Sequence, residues 1–383
     1  MKILQVLPAL EMGGVERGTI EMAAAMKAAG IENAVVSQGG PLVRELDALG
    51  VRHYALEHIG SKNPFRIGGN VRSLGAILKD GFTLMHVRSR APAWSVLKAS
   101  ERFGVPFIAT FHGVYGTKPA WFKIPYNRVM TKGLKTIAVS DYVRRHVLST
   151  YGVDEKDVVL IPRGADLGKF TLSMVDQSRV AELRRELGFP EGMRIVTLPG
   201  RLTRWKGQTV LLDALSRLGE RNIGCLFVGS DQGRVEYTAE LKGMAEKLPA
   251  TMKVVFLPRS DEMPVVYAMS DIVVSASSGQ PEAFGRVIPE AQAMERLVLG
   301  TAHGGACETI SDGKTGFLVP PGDAEAMAAA LKSMLDMDDD AKKRITSAAR
   351  ASVERDFSVA RMCGRTIDLY REIDSLLPKA PVA

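Results

Sequence analysis

The sequence predicts an α/β protein made of two doubly wound parallel sheets, and three observations carry that prediction. Short apolar, β-rich runs alternate with helix-length stretches along nearly the whole chain, the pattern of successive βα units. The alternation resets around residues 165–175, where Gly164-Ala165-Asp166-Leu167-Gly168 interrupts it and a second series begins. The 383 residues exceed what a single core usually organises, so length alone suggests two or three domains.

The elements follow in order. Ile3–Pro8 is a continuous apolar run closed by proline, as expected of a strand buried on both faces. Met12-Gly13-Gly14 forms a loop, and Val15–Ala29, rich in Ala and Met, reads as a helix stopped by Gly30. Further strands are expected at Ala34–Gln38, Leu84–Ser89, Phe107–Phe111, Thr136–Val139 and Val158–Ile161, and Ser140 should cap a helix from Asp141 to Tyr151. The second series places strands at Ile195–Leu198, Cys225–Gly229, Lys253–Leu257, Ile272–Ser275 and Val298–Gly300. Ser358–Leu377 reads as a closing helix before a Pro-containing tail. In such sheets ligands sit beyond the carboxyl ends of the strands. The chemically informative residues cluster there in both halves, which implies a cleft between domains.

Composition narrows the function. Apolar residues make up 46% and charged residues 24%, ordinary for a globular enzyme and unlike a disordered, collagen-like or disulfide-framework protein. No apolar run approaches the 18 or so residues of a spanning helix, and Met1-Lys2 leads directly into a strand rather than a signal peptide. Cys225, Cys307 and Cys363 are far apart with no C-x-x-C, so neither disulfides nor a zinc site is expected, and a cytoplasmic location fits. Residues 1–170 hold 23 Lys+Arg against 14 Asp+Glu, a balance of +9; the rest hold 27 against 29. That asymmetry suits either an anionic partner of the first half or a solvated basic face.

Three segments carry chemistry. Gly13-Gly14 precedes a helix, where paired glycines let backbone N–H groups approach a phosphate; the same pair also serves an ordinary tight turn. It is not G-x-G-x-x-G, so a dinucleotide site has weak support. Gly200-Arg201-Leu202-Thr203-Arg204-Trp205-Lys206-Gly207 leaves a strand with three cations, and Arg201 with Lys206 offers a planar fork and a point charge for a diphosphate. In Pro281-Glu282-Ala283-Phe284-Gly285-Arg286-Val287-Ile288-Pro289-Glu290, two carboxylates bracket a helix start, placed to accept hydrogen bonds from vicinal hydroxyls.

With G-G-V-E-R-G, F-H-G, I-P-R-G-A-D, G-R-L-T-R-W-K-G, P-E-A-F-G-R-V-I-P-E-A-Q-A and H-G-G-A-C-E-T-I in this order, the chain resembles the retaining, nucleotide-sugar-dependent glycosyltransferases of family four. The E-x7-E element and the preceding Arg/Lys loop are its specific signal. The resemblance implies the GT-B fold: two Rossmann-like domains facing across a cleft, an acceptor-binding domain over 1–167 and a nucleotide-sugar-binding domain over 168–359. A final helix, about 360–378, would pack back toward the first domain. It also implies roles. Arg201 and Lys206 would neutralise the donor diphosphate, Glu290 would accept the ribose hydroxyls, and Glu282 would hold hydroxyls of the transferred sugar. The backbone of Phe284, Gly285, Arg286, Val287 and Ile288 would donate to sugar and phosphate, and Leu257 and Arg259 mark where main chain reads the base. Gly13 and Gly14 would close on the diphosphate, with His112 near the sugar. No D-x-D stands at a strand end, so catalysis is expected without metal or cofactor, by front-face displacement with retention.

The acceptor implied is a glycan or glycolipid, with bacterial lipopolysaccharide core as the leading case. Residues 118–135 combine Lys118, Lys123, Arg128, Lys132 and Lys135 with Trp121, Phe122 and Tyr126. That mix suits an interfacial helix on anionic lipid, at the inner face of the membrane, or an amphipathic helix facing its own core. Other GT-B enzymes, sugar phosphorylases or nucleotide-sugar epimerases, remain alternatives. A basic non-catalytic nucleic-acid-binding protein is the remaining alternative, but nucleic acid is not an expected partner, because no binding motif accompanies the basic charge.

Overall fold

The computed structural model of the chain describes residues 1–377; residue 378 of the expected closing helix and the tail lie outside the described residues. The chain folds as two compact units, one comprising Met1–Pro162 and the residues from Ala360 onward, the other Arg163–Val359. The segment 163–167, expected in the first domain, belongs to the second. Ala165 bridges to Ser358 and donates its N–H to the Phe357 carbonyl at 2.8 Å, which stitches this segment to the end of the second unit.

The first unit holds seven strands: β1 (Lys2–Val6), β2 (Glu32–Ser37), β3 (Arg52–Ala55), β4 (Leu84–Val87), β5 (Phe107–Phe111), β6 (Thr136–Ala138) and β7 (Val158–Leu160). They form one parallel sheet in the order β3-β2-β1-β4-β5-β6-β7. The second unit holds β8 (Arg194–Pro199), β9 (Ile223–Val228), β10 (Met252–Leu257), β11 (Ile272–Ser275), β12 (Leu297–Thr301) and β13 (Phe317–Val319), in the order β10-β9-β8-β11-β12-β13. Both orders are doubly wound, with the reversal beside the first strand of each series.

Why these runs become central strands is visible in β9. Cys225 and Phe227 enter one apolar cluster and Leu226 and Val228 another, so alternate side chains are buried on opposite faces. A strand covered on both sides needs apolar residues at every position, and that is how β9 is written. The helices show the expected boundaries. Gly14–Ala28 is followed by Gly30 at φ +69°, and Ser140 accepts the Val143 N–H at 3.1 Å to cap Asp141–Tyr151. Asp338, in a run of three acids, caps the helix Asp339–Asp356 through the Ala341 N–H. The closing helix is Val359–Leu376, and from Ala360 it is grouped with the first unit.

Residues 118–135 do not form one continuous basic helix. Ala120–Asn127 is a short helix with Pro125 inside it, followed by a tight turn at Arg128–Thr131. Two of the segment's cations are committed within the protein: Arg128 donates to the Tyr151 carbonyl, and Lys135 donates to the Lys156 carbonyl and pairs with Asp157. Trp121 and Phe122 are exposed. Among the described residues no helix is long and apolar enough to cross a membrane.

Candidate functional site

In the second sheet the connections leaving β8 and β11 run in opposite directions, which opens a crevice between their carboxyl ends. The two loops that line it are Gly200–Gly207, after β8, and Ala276–Arg286, after β11. Backbone contacts lock them together. The Ser278 N–H donates to the Trp205 carbonyl at 2.8 Å, and Gly207 sits at φ +74° with no room for a Cβ beside the Ala276 carbonyl. The loop after β12 closes the arrangement: Thr301 Oγ1 donates to the Ser277 carbonyl at 2.8 Å, and the Gly305 N–H to the Glu282 carbonyl at 2.9 Å. A Cβ on Gly305 would stand 2.5 Å from Phe284 Cα, so this approach requires glycine.

These constraints bring Lys206 and Glu282 into a direct ion pair, with side chains only 16% and 17% exposed. Lys206 Nζ also lies 4.5 Å from the centroid of the Trp205 ring, a cation–π contact that fixes the ammonium. Arg201 is exposed, and its guanidinium has no side-chain partner among the described residues. Its carbonyl accepts from the buried amide of Gln208 at 2.9 Å, and Gln208 in turn accepts from Tyr237 at 3.1 Å, so the loop backbone is held from below. The third cation, Arg204, is turned away and forks onto Glu240.

The helix Val287–Ala293 begins beside this pair. Phe284 and Ile288 are buried in the core, so only their backbone faces outward chemistry. The first-turn N–H groups of a helix lack intrahelical partners and favour an anion. Glu290 is held from two sides, by Arg286 at 3.3 Å and by the Tyr267 hydroxyl at 3.1 Å. Burial, then the adjacent Glu290 carboxylate, push the Tyr267 phenol well above its ordinary value, so it stays protonated and donates.

The structure thus brings Arg201, Lys206, Glu282, Phe284–Ile288 and Glu290 onto adjoining segments of one unit. Leu257 ends β10, with β9 between it and β8; its carbonyl accepts the Gly229 N–H at 2.8 Å, and the Arg259 side chain bonds Asp261. Gly13, Gly14 and His112 stand in the other unit. Gly13 precedes the helix Gly14–Ala28 after β1, where a Cβ on Gly14 would meet nothing within 4 Å, and His112 follows β5. Sequence reasoning missed Gln208, Tyr267, Thr301 and the Gly304-Gly305 pair. The only visible signals were a glutamine opening an apolar helix and the doubled glycine of H-G-G.

Comparisons with known proteins bear on the family and the fold. Residues 180–352 match the family described as "Glycosyl transferases group 1", and residues 12–169 match "Glycosyltransferase Family 4". The chain is 30% identical over 365 residues to a phosphatidyl-myo-inositol mannosyltransferase of Mycolicibacterium smegmatis, covering 91% of this chain and 87% of that one. It is 32% identical over 238 residues to a D-inositol 3-phosphate glycosyltransferase of Corynebacterium urealyticum, covering 60% of this chain but only 55% of that relative's length. Among solved structures, a glycosyltransferase from Rickettsia africae superposes with a TM-score of 0.89 at 40% identity, over 97% of this chain and 98% of that one. Anabaena HepE, solved with UDP-glucose, shares the fold at a TM-score of 0.82 and 22% identity, over 97% of this chain and all of that one.

Proposed function

The chain belongs to glycosyltransferase family 4, and from that premise we propose that it transfers a sugar, with retention, from a nucleoside diphosphate sugar to a hydroxyl of a glycan or glycolipid. The observation that carries the reading is the convergence of Lys206 and Glu282 from two loops onto the crevice between β8 and β11, with Arg201, whose guanidinium has no side-chain partner among the described residues, on the same loop as Lys206. A diphosphate competes with Glu282 for Lys206, and release of Glu282 lets it accept hydroxyls of the sugar. Cation and carboxylate therefore exchange partners as the donor binds.

In the transfer step the acceptor oxygen bonds to the anomeric carbon from the face that the diphosphate leaves. The broken C–O bond's electron pair goes to the β-phosphate, which then takes the acceptor's proton. Arg201, Lys206 and the first-turn amides of Val287–Ala293 stabilise the charge that develops on the leaving group. Fixed cations of this kind do the electrostatic work that a divalent metal would otherwise do, so no metal or other cofactor is invoked. Glu290, held by Tyr267 and Arg286, is the acceptor for the ribose hydroxyls.

UDP is the favoured nucleotide, supported by the fold shared with a UDP-glucose complex. A phosphorylated polyol or an anionic glycolipid of the cell envelope is the favoured acceptor class, supported by the names of the relatives; lipopolysaccharide core is one member of that class. Exposed Trp121 and Phe122 beside Lys118 and Lys123 suit a peripheral contact with anionic membrane at its cytoplasmic face. The test is a screen of UDP-, GDP- and ADP-sugars for thermal stabilisation. Ligand that binds only the native state at about 100 times its Kd stabilises by about 2.7 kcal/mol. A rise with UDP-sugars alone is expected; no shift with any of the three would overturn the donor assignment.

A further inference from the structure

The first unit contains a basic pocket of its own. A cavity of about 210 Å³ is lined by Lys62, Ser89, Arg90, Phe122, Lys123 and Tyr126, among others. Three of its lining residues are cations and none is acidic. Among the described residues, neither Lys62, Arg90 nor Lys123 forms an ion pair, although cations elsewhere on this unit, such as Arg17, Arg52 and Arg144, are matched to carboxylates. Bare like charges around one cavity are unfavourable unless something anionic enters it.

Arg90 is fixed in advance. One guanidinium nitrogen donates to Asn127 Oδ1 at 2.8 Å, and the guanidinium lies 4.1 Å from the centroid of the Tyr115 ring. Asn127 is itself fully buried and bonded to the Gly116 carbonyl, so the fork is held rigidly, and its other N–H groups make no hydrogen bond among the described residues. Ser89 precedes the helix Arg90–Phe103 without using its hydroxyl to cap it. Lys62 and Lys123 add two point charges on long side chains to the lining. Below the pocket, the ring of Phe122 stacks on Tyr126 at 5.9 Å and forms an apolar wall.

Size and charge narrow the ligand. The cavity exceeds the about 30 Å³ share of a water molecule, yet it falls short of the roughly 300–1,000 Å³ that encloses a drug-sized ligand. It therefore suits a fragment, not a whole nucleotide. Three cations suit the charge of about −2 carried by a phosphomonoester better than that of one carboxylate. Location narrows it further: Ser89 and Arg90 follow β4 and His112 follows β5, the neighbouring strand, so both lie at the same edge of one parallel sheet.

We infer that this pocket binds the phosphoryl group of the acceptor, which makes the acceptor a phosphorylated polyol or sugar, free or as a lipid headgroup. The acceptor role rests on the proposed transferase function; the phosphoryl site does not.

The test uses glycerol 3-phosphate against glycerol in calorimetry, and vesicles of phosphatidic acid, a phosphomonoester lipid, in phosphatidylcholine against phosphatidylcholine alone in co-sedimentation. The double variant Lys62→Ser, Lys123→Ser touches no internal bond and should keep its UDP-glucose binding while losing tenfold or more in affinity for the phosphorylated probe. Arg90→Lys keeps the charge but not the fork and should give a smaller loss. Binding of glycerol 3-phosphate without vesicle binding identifies a soluble phosphorylated acceptor. Vesicle binding that the double variant abolishes and glycerol 3-phosphate competes identifies a lipid headgroup. Undiminished binding in the double variant, equal binding of glycerol, or no binding of either phosphorylated probe overturns the site. Failure of the unaltered protein to bind any nucleotide sugar, with phosphate binding intact, would instead overturn the transferase reading alone.

Discussion

At the scale of single residues, Lys206 and Arg201 should be separable although both are proposed to face the same diphosphate. Lys206 sits in a largely buried pair with Glu282, whereas Arg201 is exposed and without a side-chain partner among the described residues. Either alanine variant should lose about 2–4 kcal/mol of transition-state stabilisation, the magnitude found for removing one electrostatic donor. Lys206→Ala should also cost about 1–3 kcal/mol of stability, because it leaves the Glu282 carboxylate underpaired; Arg201→Ala should leave the unfolding midpoint unchanged. Turnover of UDP-sugar and denaturant melts read the two effects, and near-normal turnover of both variants would remove the clamp. The two carboxylates divide differently. Glu290→Gln should weaken free UDP and UDP-sugar alike, whereas Glu282→Gln should weaken the sugar donor more than UDP, since only the donor brings sugar hydroxyls to it. Equal losses for both ligands in both variants would mean that the roles are wrongly divided.

At the scale of elements, the donor loops are positioned by backbone contacts, and Gly207 tests this. It occupies φ +74°, and a Cβ would run into the Ala276 carbonyl of the facing loop. Gly207→Ala should cost about 1–3 kcal/mol of stability through strain and separate the loops that place Lys206 and Glu282. Affinity for UDP-sugar should fall although no ligand-contacting side chain has changed, and wild-type affinity would show that the loop contact is dispensable. The same distinction explains what could be read from the sequence. Lys206, Glu282 and Glu290 were legible because charged residues stood at fixed spacing beside strand ends. Gly304-Gly305 and Gln208 were not, because they act on backbone atoms of loops distant in sequence. Central strands such as β9 announced themselves by unbroken apolar runs. The edge strand β3, Arg52-His53-Tyr54-Ala55, is partly exposed and polar, and β13 has only Phe317-Leu318-Val319 after a glycine, so neither carried a periodic signal. The basic helix expected at 118–135 shrank to Ala120–Asn127, which carries Pro125 inside it and gives way to a tight turn at Arg128–Thr131, a break that its amphipathic composition masked.

At the scale of the whole molecule, the chain returns at its C-terminus to the unit in which it began, and a buried histidine joins the two ends. His86 on β4 contacts the Tyr370 hydroxyl of the helix Val359–Leu376 through Nδ1 at 2.5 Å and Thr110 of β5 through Nε2 at 2.6 Å. Beside it, buried Arg88 donates to Gln5 at 2.7 Å. Complete burial, and then the Arg88 charge, push His86 well below its ordinary 6.5, so the imidazole is neutral in the folded chain. Unfolding exposes it to water, where it takes a proton below about pH 6.5. In that range the unfolded state binds more protons than the native one, so stability rises with pH and is lost as pH falls. Neither neighbour competes in this window: burial raises the Tyr370 phenol, and Arg88 is lowered from the far higher arginine range. His53 and His146 are also shifted down by burial, so the unaltered slope is shared among histidines. The measurement is therefore a difference. Urea midpoints taken between about pH 5 and 6.5, above the usual carboxylate range, should fall with acidification, with a slope of up to about 1.4 kcal/mol per pH unit from each such histidine. His86→Gln should be less stable at neutral pH, since it disturbs a buried hydrogen-bonded chain, yet its stability should decline less steeply over the same window. Parallel declines in the two proteins would show that His86 is protonated as readily in the folded chain as outside it, and that the closing helix is not held by a neutral imidazole.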